Sequence, residues 1–266
     1  APKRTSCCIL VDKEEIGSVG ATGMHSRFFE NTVAEILALT GDYNDLRLRR
    51  TLQNSYMLSS DVSAAFDPNY PSVMEKKNCA YFGKGLVLNK YTGARGKSGS
   101  NDANPEYIAQ LRKIFDEAKV AFQTAELGKV DEGGGGTIAY IPAAYSMNVI
   151  DCGVAVLSMH APWEITSKSD IYEVEKGYEA FLKNCRKKIT RLKKFFAKKC
   201  RQNLCRHNTL LFIFFAAGTY CLHFLLSECR TMKHQNSLTR LYSFRHTITL
   251  PGRMRHLFDN YRSCIP

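Results

Sequence analysis

Two adjacent carboxylates, Glu14 and Glu15, follow the apolar run of residues 7–11 near the start of this 266-residue chain. The run ends at charged residues and Gly17, a pattern that predicts a buried strand leading into a loop. Neighbouring carboxylates repel each other, so a divalent metal would stabilise the pair. One Glu would then bind the metal, and the other would accept a proton from the water that the metal activates. A solvated acidic turn is the alternative that these two residues leave open.

Two further candidate ligands, Asp61 and His160, come directly after other apolar runs, at residues 55–60 and 149–157. The ends of strands in a largely parallel sheet converge on one edge, so these side chains are expected to meet Glu14 and Glu15 there. Two carboxylates and one imidazole suit zinc, manganese or cobalt, with one Glu left as general base. Taken alone, His160 is equally well explained as a packed or surface histidine.

The elements that position these residues alternate between strands and amphipathic helices. Apolar side chains recur at helical spacing within residues 28–37, 104–119 and 169–184, and short apolar runs at 85–88 and 120–125 predict further strands. This order predicts an α/β fold with a mixed, mostly parallel sheet flanked by helices.

Four consecutive glycines at residues 133–136 interrupt this pattern just before Thr137. Such a run costs backbone entropy, so it favours a loop in which the backbone makes a close approach or exposes its N–H groups. A plain flexible turn is the alternative.

Five ordered motifs together carry a family resemblance. They are Asp12-Lys13-Glu14-Glu15-Ile16-Gly17-Ser18, Ser59-Ser60-Asp61-Val62, Asp67-Pro68-Asn69-Tyr70, Gly135-Gly136-Thr137-Ile138 and Ser158-Met159-His160. Over residues 1–184 the chain resembles the bacterial branch of the aspartyl aminopeptidase (aminopeptidase I) family of zinc metallopeptidases. The resemblance implies a zinc exopeptidase-like fold, a site with two zinc ions, removal of N-terminal residues from peptides, and an assembly of twelve subunits.

The same resemblance implies roles for individual residues. Glu14 would be the general base, and Glu15, Asp61 and His160 would be zinc ligands, with manganese or cobalt as possible substitutes for zinc. Four residues would lie near the bound peptide: Gly135, Gly136, Thr137 and Lys90.

The resemblance also implies a histidine and a metal-bridging aspartate from an earlier part of the chain. The eleven residues before Asp12 contain neither. We therefore expect a fold that is incomplete at its N-terminus, weak zinc binding or binding at one position, and no activity of the chain alone. The alternative is a catalytically dead interaction protein, or a membrane-tethered one, built from the same domain.

Charge divides the chain into two parts. Residues 1–184 hold 20 Lys and Arg against 23 Asp and Glu, whereas residues 185–266 hold 17 against 2. The first part therefore lacks the positive charge typical of nucleic-acid binding, and no nucleic-acid partner is expected.

The second part is a basic tail foreign to the family, with an uncharged run of 18 residues at 209–226. This run is just long enough to span a bilayer. Three interpretations compete: a membrane anchor, a basic nucleic-acid arm, and translation in a shifted frame. The abrupt loss of acidic residues favours the shifted frame.

The ten cysteines form no CxxC pair, so neither a zinc finger nor a redox motif is indicated. Cys8 and Cys152 lie inside apolar, strand-like runs, as buried thiols do in a reducing compartment. A cytoplasmic protein is therefore expected.

Overall fold

The computed structural model describes residues 4–95, 98–129, 131–132, 134–185, 210–216 and 242–243. The strands are β1 (Thr5–Val11), β2 (Tyr56–Ser60), β3 (Ser63–Ala64), β4 (Leu86–Ala94), β5 (Ser98–Asp102), β6 (Phe122–Glu126), β7 (Asn148–Gly153), β8 (Ala155–Leu157), β9 (Ile165–Thr166), β10 (Leu210–Ala216) and β11 (Tyr242–Ser243). The helices are α1 (Phe28–Leu39), α2 (Asp45–Gln53), α3 (Pro105–Glu117), α4 (Tyr140–Ala143) and α5 (Lys168–Asn184), with 3₁₀ turns at Glu14–Ile16 and Pro71–Val73.

Eight strands form the main sheet in the order β11-β1-β10-β2-β7-β4-β5, with β6 also paired to β4. Its strand pairs are parallel except for those that β4 makes with β5 and β7. The predicted mixed, mostly parallel sheet is thus confirmed.

A second, three-stranded sheet lies beyond the ends of β2 and β7 and has the order β3-β8-β9. β3 and β8 are parallel, with Ser63 opposite Ala155 and Ala64 opposite Val156. This small sheet therefore ties the segment that follows β2 to the segment that follows β7.

Helices cover both faces of the main sheet, because its central strands are apolar on both sides. On β2, Met57 and Leu58 are both fully buried, yet they belong to different core clusters. Leu58 packs in the cluster that contains α3 and α5 side chains, and Met57 packs in the cluster that contains α1 and α2 side chains. Continuous apolar runs are what a parallel sheet buried on both faces requires.

The structure adds two local features to the sequence predictions. Residues 46–50, for which no element was predicted, lie in α2, which begins because the Asn44 side chain caps it by accepting the Arg47 N–H at 2.9 Å. The strand expected at 85–88 continues to Ala94, because it pairs with β5 as well as with β6 and β7.

The apolar run at 209–226 is only partly described. Its residues 210–216 form β10, a strand inside the main sheet. No helix in the described part of the chain is long and apolar enough to cross a membrane. The rest of the run, and most of the basic tail, lie outside the described residues.

Phe181 in α5 offers a test of the core beneath the helix. The residue is completely buried against the main sheet, so Phe181→Ala leaves a large cavity and should lower the free energy of unfolding by about 3–5 kcal/mol. Tyr172→Ala in the same helix is the control, because Tyr172 is 60% exposed and its loss should cost far less. Urea denaturation measures both variants, and equal losses would contradict the packing described.

Candidate metal centre

The loop after β1 is held in a defined shape by its own backbone. Lys13 adopts a left-handed conformation (φ 62°), the 3₁₀ turn Glu14–Ile16 follows, and the Ser18 N–H donates to the Lys13 carbonyl at 2.7 Å. The Thr22 hydroxyl donates to the Asp12 carboxylate at 2.6 Å. Glu14 is half-buried in this arrangement, whereas Glu15 is exposed. The predicted acidic loop is therefore present, and hydrogen bonds within the loop hold its shape.

Asp61 is positioned by the end of β7. Its backbone N–H donates to the Cys152 carbonyl at 2.9 Å, and its Oδ1 accepts the Val62 N–H at 2.7 Å. A Cβ on Gly153 would lie 1.4 Å from the Asp61 carbonyl oxygen. Only glycine at that position lets the chain carrying Asp61 cross so close to β7.

His160 follows β8, in the small sheet rather than in the main one, so the expected single sheet edge is wrong for this residue. Its backbone is left-handed (φ 66°), and its N–H donates to the Glu164 carboxylate at 2.7 Å. Its Nδ1 lies 3.5 Å from Oε2 of Glu15, with both side chains about two-thirds exposed (67% and 69%). The structure thus brings together these two predicted ligands, which are 145 residues apart in the sequence.

Carboxylates crowd one another at this site. Burial, together with the negative charges of Asp61 and Glu15, raises the pKa of Glu14 to about 7, against a partial lowering by His160. Burial, with smaller contributions from Asp151 and Glu15, raises the pKa of Asp61 to about 7. Each carboxyl group therefore binds a proton more readily than it would in water, because burial, and to a smaller extent repulsion by neighbouring carboxylates, disfavours its charged form.

The residues present fit part of a metal site. Their oxygen and nitrogen donors suit zinc, and a divalent cation would relieve the repulsion among the carboxylates. Within the described residues, however, no group of three or more His, Cys, Asp or Glu side chains is arranged to hold a metal ion. The site is best described as the Glu15–His160 pair with Asp61 and Glu14 nearby.

The glycine loop packs against β4. The Gly93 N–H donates to the Gly135 carbonyl at 3.1 Å, and a Cβ on Gly134 would lie 2.8 Å from the Leu127 carbonyl oxygen. Gly136 remains exposed, whereas Thr137 is buried at the base of the loop. The loop is therefore a close backbone contact rather than a free turn. Lys90, also on β4, forms an ion pair with Asp102 on β5.

Comparison with known proteins identifies the family. The model of the aminopeptidase I zinc metalloprotease (M18) family matches residues 1–182. This chain belongs to the M18 aminopeptidase family. Over 182 residues it is 72% identical to a probable M18 family aminopeptidase 1 of Clostridium acetobutylicum, a match that covers 68% of this chain and 39% of that relative. The M18 match ends within α5, and the basic tail lies beyond it.

Solved M18 structures share the fold. The crystal structure of aminopeptidase I from Clostridium acetobutylicum is 71% identical, with a TM-score of 0.60 over 65% of this chain and 37% of that one. The Thermotoga maritima M18 aminopeptidase is 44% identical, with a TM-score of 0.62 over 66% and 39%. A structure of the S. cerevisiae mApe1 dodecamer is 25% identical, with a TM-score of 0.52 over 64% and 36%. The chain thus spans about two fifths of the length of these relatives.

Asp151 is a site residue that the sequence predictions missed. It lies on β7 with no exposed surface, and its Oδ2 accepts the Thr92 hydroxyl at 3.1 Å. Burial raises its pKa to about 6, an effect that the hydroxyls of Thr137, Thr92 and Ser59 only partly offset. Asp151 therefore joins the base of the glycine loop to the carboxylate cluster. A charged residue within the apolar run 149–157 was the available signal, since buried carboxylates are rare and often functional.

Asp151 should make the metal-free chain less stable as pH rises. Its pKa is raised above its ordinary value of 3.8, so its contribution is fully present below about pH 4 and is lost as pH passes 6. The loss is on the order of 3 kcal/mol at about 1.4 kcal/mol per pKa unit. Asp151→Asn should flatten the pH dependence by that amount in urea denaturation at pH 4 and pH 7.

Asp116→Asn is the matched control, because Asp116 is an exposed carboxylate on α3. The control should keep the wild-type slope of stability against pH. A slope unchanged in Asp151→Asn would show that this carboxyl titrates as it does in the unfolded chain.

Proposed function

We propose that residues 1–184 supply part of the catalytic site of a zinc aminopeptidase, which hydrolyses N-terminal residues from peptides. The observation that carries this proposal is the half-buried Glu14, with a pKa raised to about 7, beside Asp61 and the Glu15–His160 pair. A general base works best when its pKa lies near the working pH. Membership of a zinc metalloprotease family supports the same chemistry.

Glu14 is the general base of the proposed reaction. Zinc held by Glu15, Asp61 and His160 would acidify a water molecule and polarise the peptide carbonyl. Glu14 would accept a proton from the attacking water, hold it on its carboxyl group, and donate it to the leaving amine nitrogen. The raised pKa of Glu14 suits both transfers, because the carboxyl gains and loses a proton near neutral pH.

Glu15, Asp61 and His160 are the proposed zinc ligands. Support comes from the 3.5 Å contact between Glu15 and His160 and from the influence of Glu15 on the pKa of Asp61. The backbone N–H of His160 donates to Glu164, which restrains the loop that presents the imidazole. Two zinc ions are proposed for the complete site, with manganese or cobalt as substitutes.

The glycine loop and Lys90 form the proposed peptide-binding side. Gly135 offers backbone beside β4, Gly136 lies beside Ser98 of β5, and Thr137 anchors the loop beside the buried Asp151. The Lys90 ammonium group pairs with Asp102 on β5 and has further N–H donors for a peptide carbonyl. These contacts would orient the peptide relative to Glu14.

The chain alone is proposed to be inactive, because the described residues do not complete a metal-binding group. The proposal extends to a cytoplasmic location, supported by the five free thiols among the described residues. A dodecamer, as in mApe1, is proposed for a complete protein. A catalytically dead interaction protein is the second candidate, and the incomplete metal group favours it.

Zinc binding separates the two candidates. Isothermal titration with Zn²⁺ should detect one weak site in the chain, because the Glu15–His160 pair offers two donors beside Asp61. Glu15→Gln and His160→Ala should each weaken that site by about tenfold or more, since each removes a ligand.

His25→Ala is the control for zinc titration, because His25 bonds to the Tyr140 hydroxyl and is not a proposed ligand. Its zinc affinity should match that of the wild type. Absence of zinc binding to the wild type, or equal effects of all three substitutions, would favour the dead interaction protein.

The role of Glu14 is testable in a complete enzyme. We would replace the matched region of the Clostridium acetobutylicum relative with residues 1–182 of this chain and assay hydrolysis of aminoacyl substrates. Glu14→Gln in this chimera should lower kcat by about 10²–10⁴-fold because the proton acceptor is lost, with zinc content unchanged.

Glu35→Gln, an exposed carboxylate on α1, should leave the activity of the chimera intact. Equal loss of zinc and turnover in Glu14→Gln would reassign Glu14 as a ligand. Clear turnover by the isolated chain with added zinc would contradict its proposed inactivity.

A further inference from the structure

Helix α5 places the Tyr178 hydroxyl over two neighbouring strands of the main sheet. Tyr178 is partly buried and packs against the core cluster that contains Val174 and Phe181 of the same helix. Its hydroxyl shares a hydrogen bond with the hydroxyl of Ser60, the last residue of β2. The thiol of Cys152 on β7 donates a weak hydrogen bond to the same oxygen at 3.9 Å. One side chain of α5 thus contacts β2 and β7 together.

The two partners of Tyr178 are the residues that hold Asp61. Ser60 precedes Asp61 in the chain, and the Cys152 carbonyl accepts the Asp61 backbone N–H at 2.9 Å. Ser60 and Cys152 also lie opposite each other in the parallel pairing of β2 with β7. Both residues are almost completely buried (6% and 1% exposed), so water does not readily replace a lost hydrogen-bond partner. The Tyr178 hydroxyl therefore fixes the cross-strand pair from which Asp61 extends.

The position of Asp61 depends on how the end of β2 is held. β2 ends at Ser60, so Asp61 follows the last residue of the strand. The Asp61 carboxylate bonds locally, because its Oδ1 accepts the Val62 N–H at 2.7 Å. This local bond orients the carboxylate relative to its own backbone, but it does not place that backbone in the sheet. Placement in the sheet comes from the pair of Ser60 with Cys152.

We propose that Tyr178 is a positioning residue for Asp61, and that it acts through the pair of Ser60 with Cys152 to place this carboxylate for a divalent metal. The inference rests on the proposed function, in which Asp61 is a zinc ligand. Metal–ligand distances must be right to within about 0.2 Å, so a small shift at the end of β2 lowers metal affinity even where the fold is retained. Tyr178 is 118 residues away from Ser60 in the sequence, so no local pattern indicated this role.

A purely structural role for the same hydrogen bond is the alternative, and a second tyrosine provides the matched comparison. Tyr107 of α3 is buried, and its hydroxyl donates to the Met57 carbonyl of β2 at 3.0 Å. Both tyrosines therefore join a helix to the same strand. Tyr107 bonds to a residue four positions before Asp61, whereas Tyr178 bonds to the residue next to it. Loss of either hydroxyl removes a buried hydrogen bond, but only loss of the Tyr178 hydroxyl should alter the placement of Asp61.

Isothermal titration of the full chain with Zn²⁺ separates the two roles. Tyr178→Phe should weaken zinc binding by about three- to tenfold, less than the roughly 10–100-fold loss that follows when a direct hydrogen-bond partner of a ligand is replaced. Tyr107→Phe should bind zinc as the wild type does, although urea denaturation should show lower stability for both variants. Wild-type zinc affinity in Tyr178→Phe, or equal weakening in both variants, would overturn the proposal.

Ser60→Ala tests the route by which Tyr178 acts. It removes the other hydroxyl of the shared hydrogen bond, so it should weaken zinc binding by a factor similar to that of Tyr178→Phe. The double variant should lose less affinity than the product of the two single losses, because both substitutions remove the same interaction. Losses that simply multiply would overturn the route through Ser60.

A measurement without metal distinguishes failure of this inference from failure of the proposed function. In the metal-free full chain, the Asp61 amide should exchange about three- to tenfold faster in Tyr178→Phe than in the wild type, relative to amides of β6, because its bond to the Cys152 carbonyl opens more often. The same ratio should stay at its wild-type value in Tyr107→Phe. Asp61→Asn should weaken zinc binding. If it does not, the ligand assignment fails, and the exchange of the Asp61 amide decides the positioning role: an unchanged ratio in Tyr178→Phe would overturn it.

Discussion

A sheet buried on both faces must pair its backbone polar groups within itself, and the rest of this structure depends on that constraint. The central strands of the sheet are apolar on both sides, so helices cover them and leave only the strand ends open. Two candidate site residues lie at those strand ends: Glu14 follows β1, and Asp61 follows β2. In the same sheet β10 lies between β1 and β2 and pairs with both in parallel.

Repulsion between carboxylates and backbone strain are concentrated near the ends of the strands, where backbone hydrogen bonding between strands stops. Glu14, Asp61 and Asp151 each have a raised pKa, and in each case burial is the largest cause. Lys13 and His160, next to or within the site, adopt left-handed backbone conformations that cost energy for residues with side chains. Such costs are typical of sites that gain stability when a ligand arrives. A cation between the carboxylates would supply that gain electrostatically.

Local patterns predicted the elements whose stability is local. Helical spacing of apolar residues identified α1, α3 and α5, and the apolar run before Glu14 identified β1. Helix α2 was missed because its apolar stripe is short and its start depends on one cap, the Asn44 side chain. The contact of Glu15 with His160 and the burial of Asp151 follow from strand pairing between distant segments, which no local pattern records. The sequence therefore predicted the fold class; the ligand roles of Glu15, Asp61 and His160 stay a prediction, and no local pattern gave the distances between these side chains.

The strand register of the small sheet sets the spacing between Asp61 and His160. β3 begins two residues after Asp61, and β8 ends three residues before His160, so the parallel pairing of Ser63 with Ala155 sets how far apart these side chains start. A slip of one residue in this pairing would move one segment past the other by about 3.3 Å. Metal–ligand bonds tolerate only about 0.2 Å. The accuracy with which Asp61 and His160 could be placed around a metal therefore depends on the pairing of β3 with β8. Neither of these short strands contains a candidate ligand.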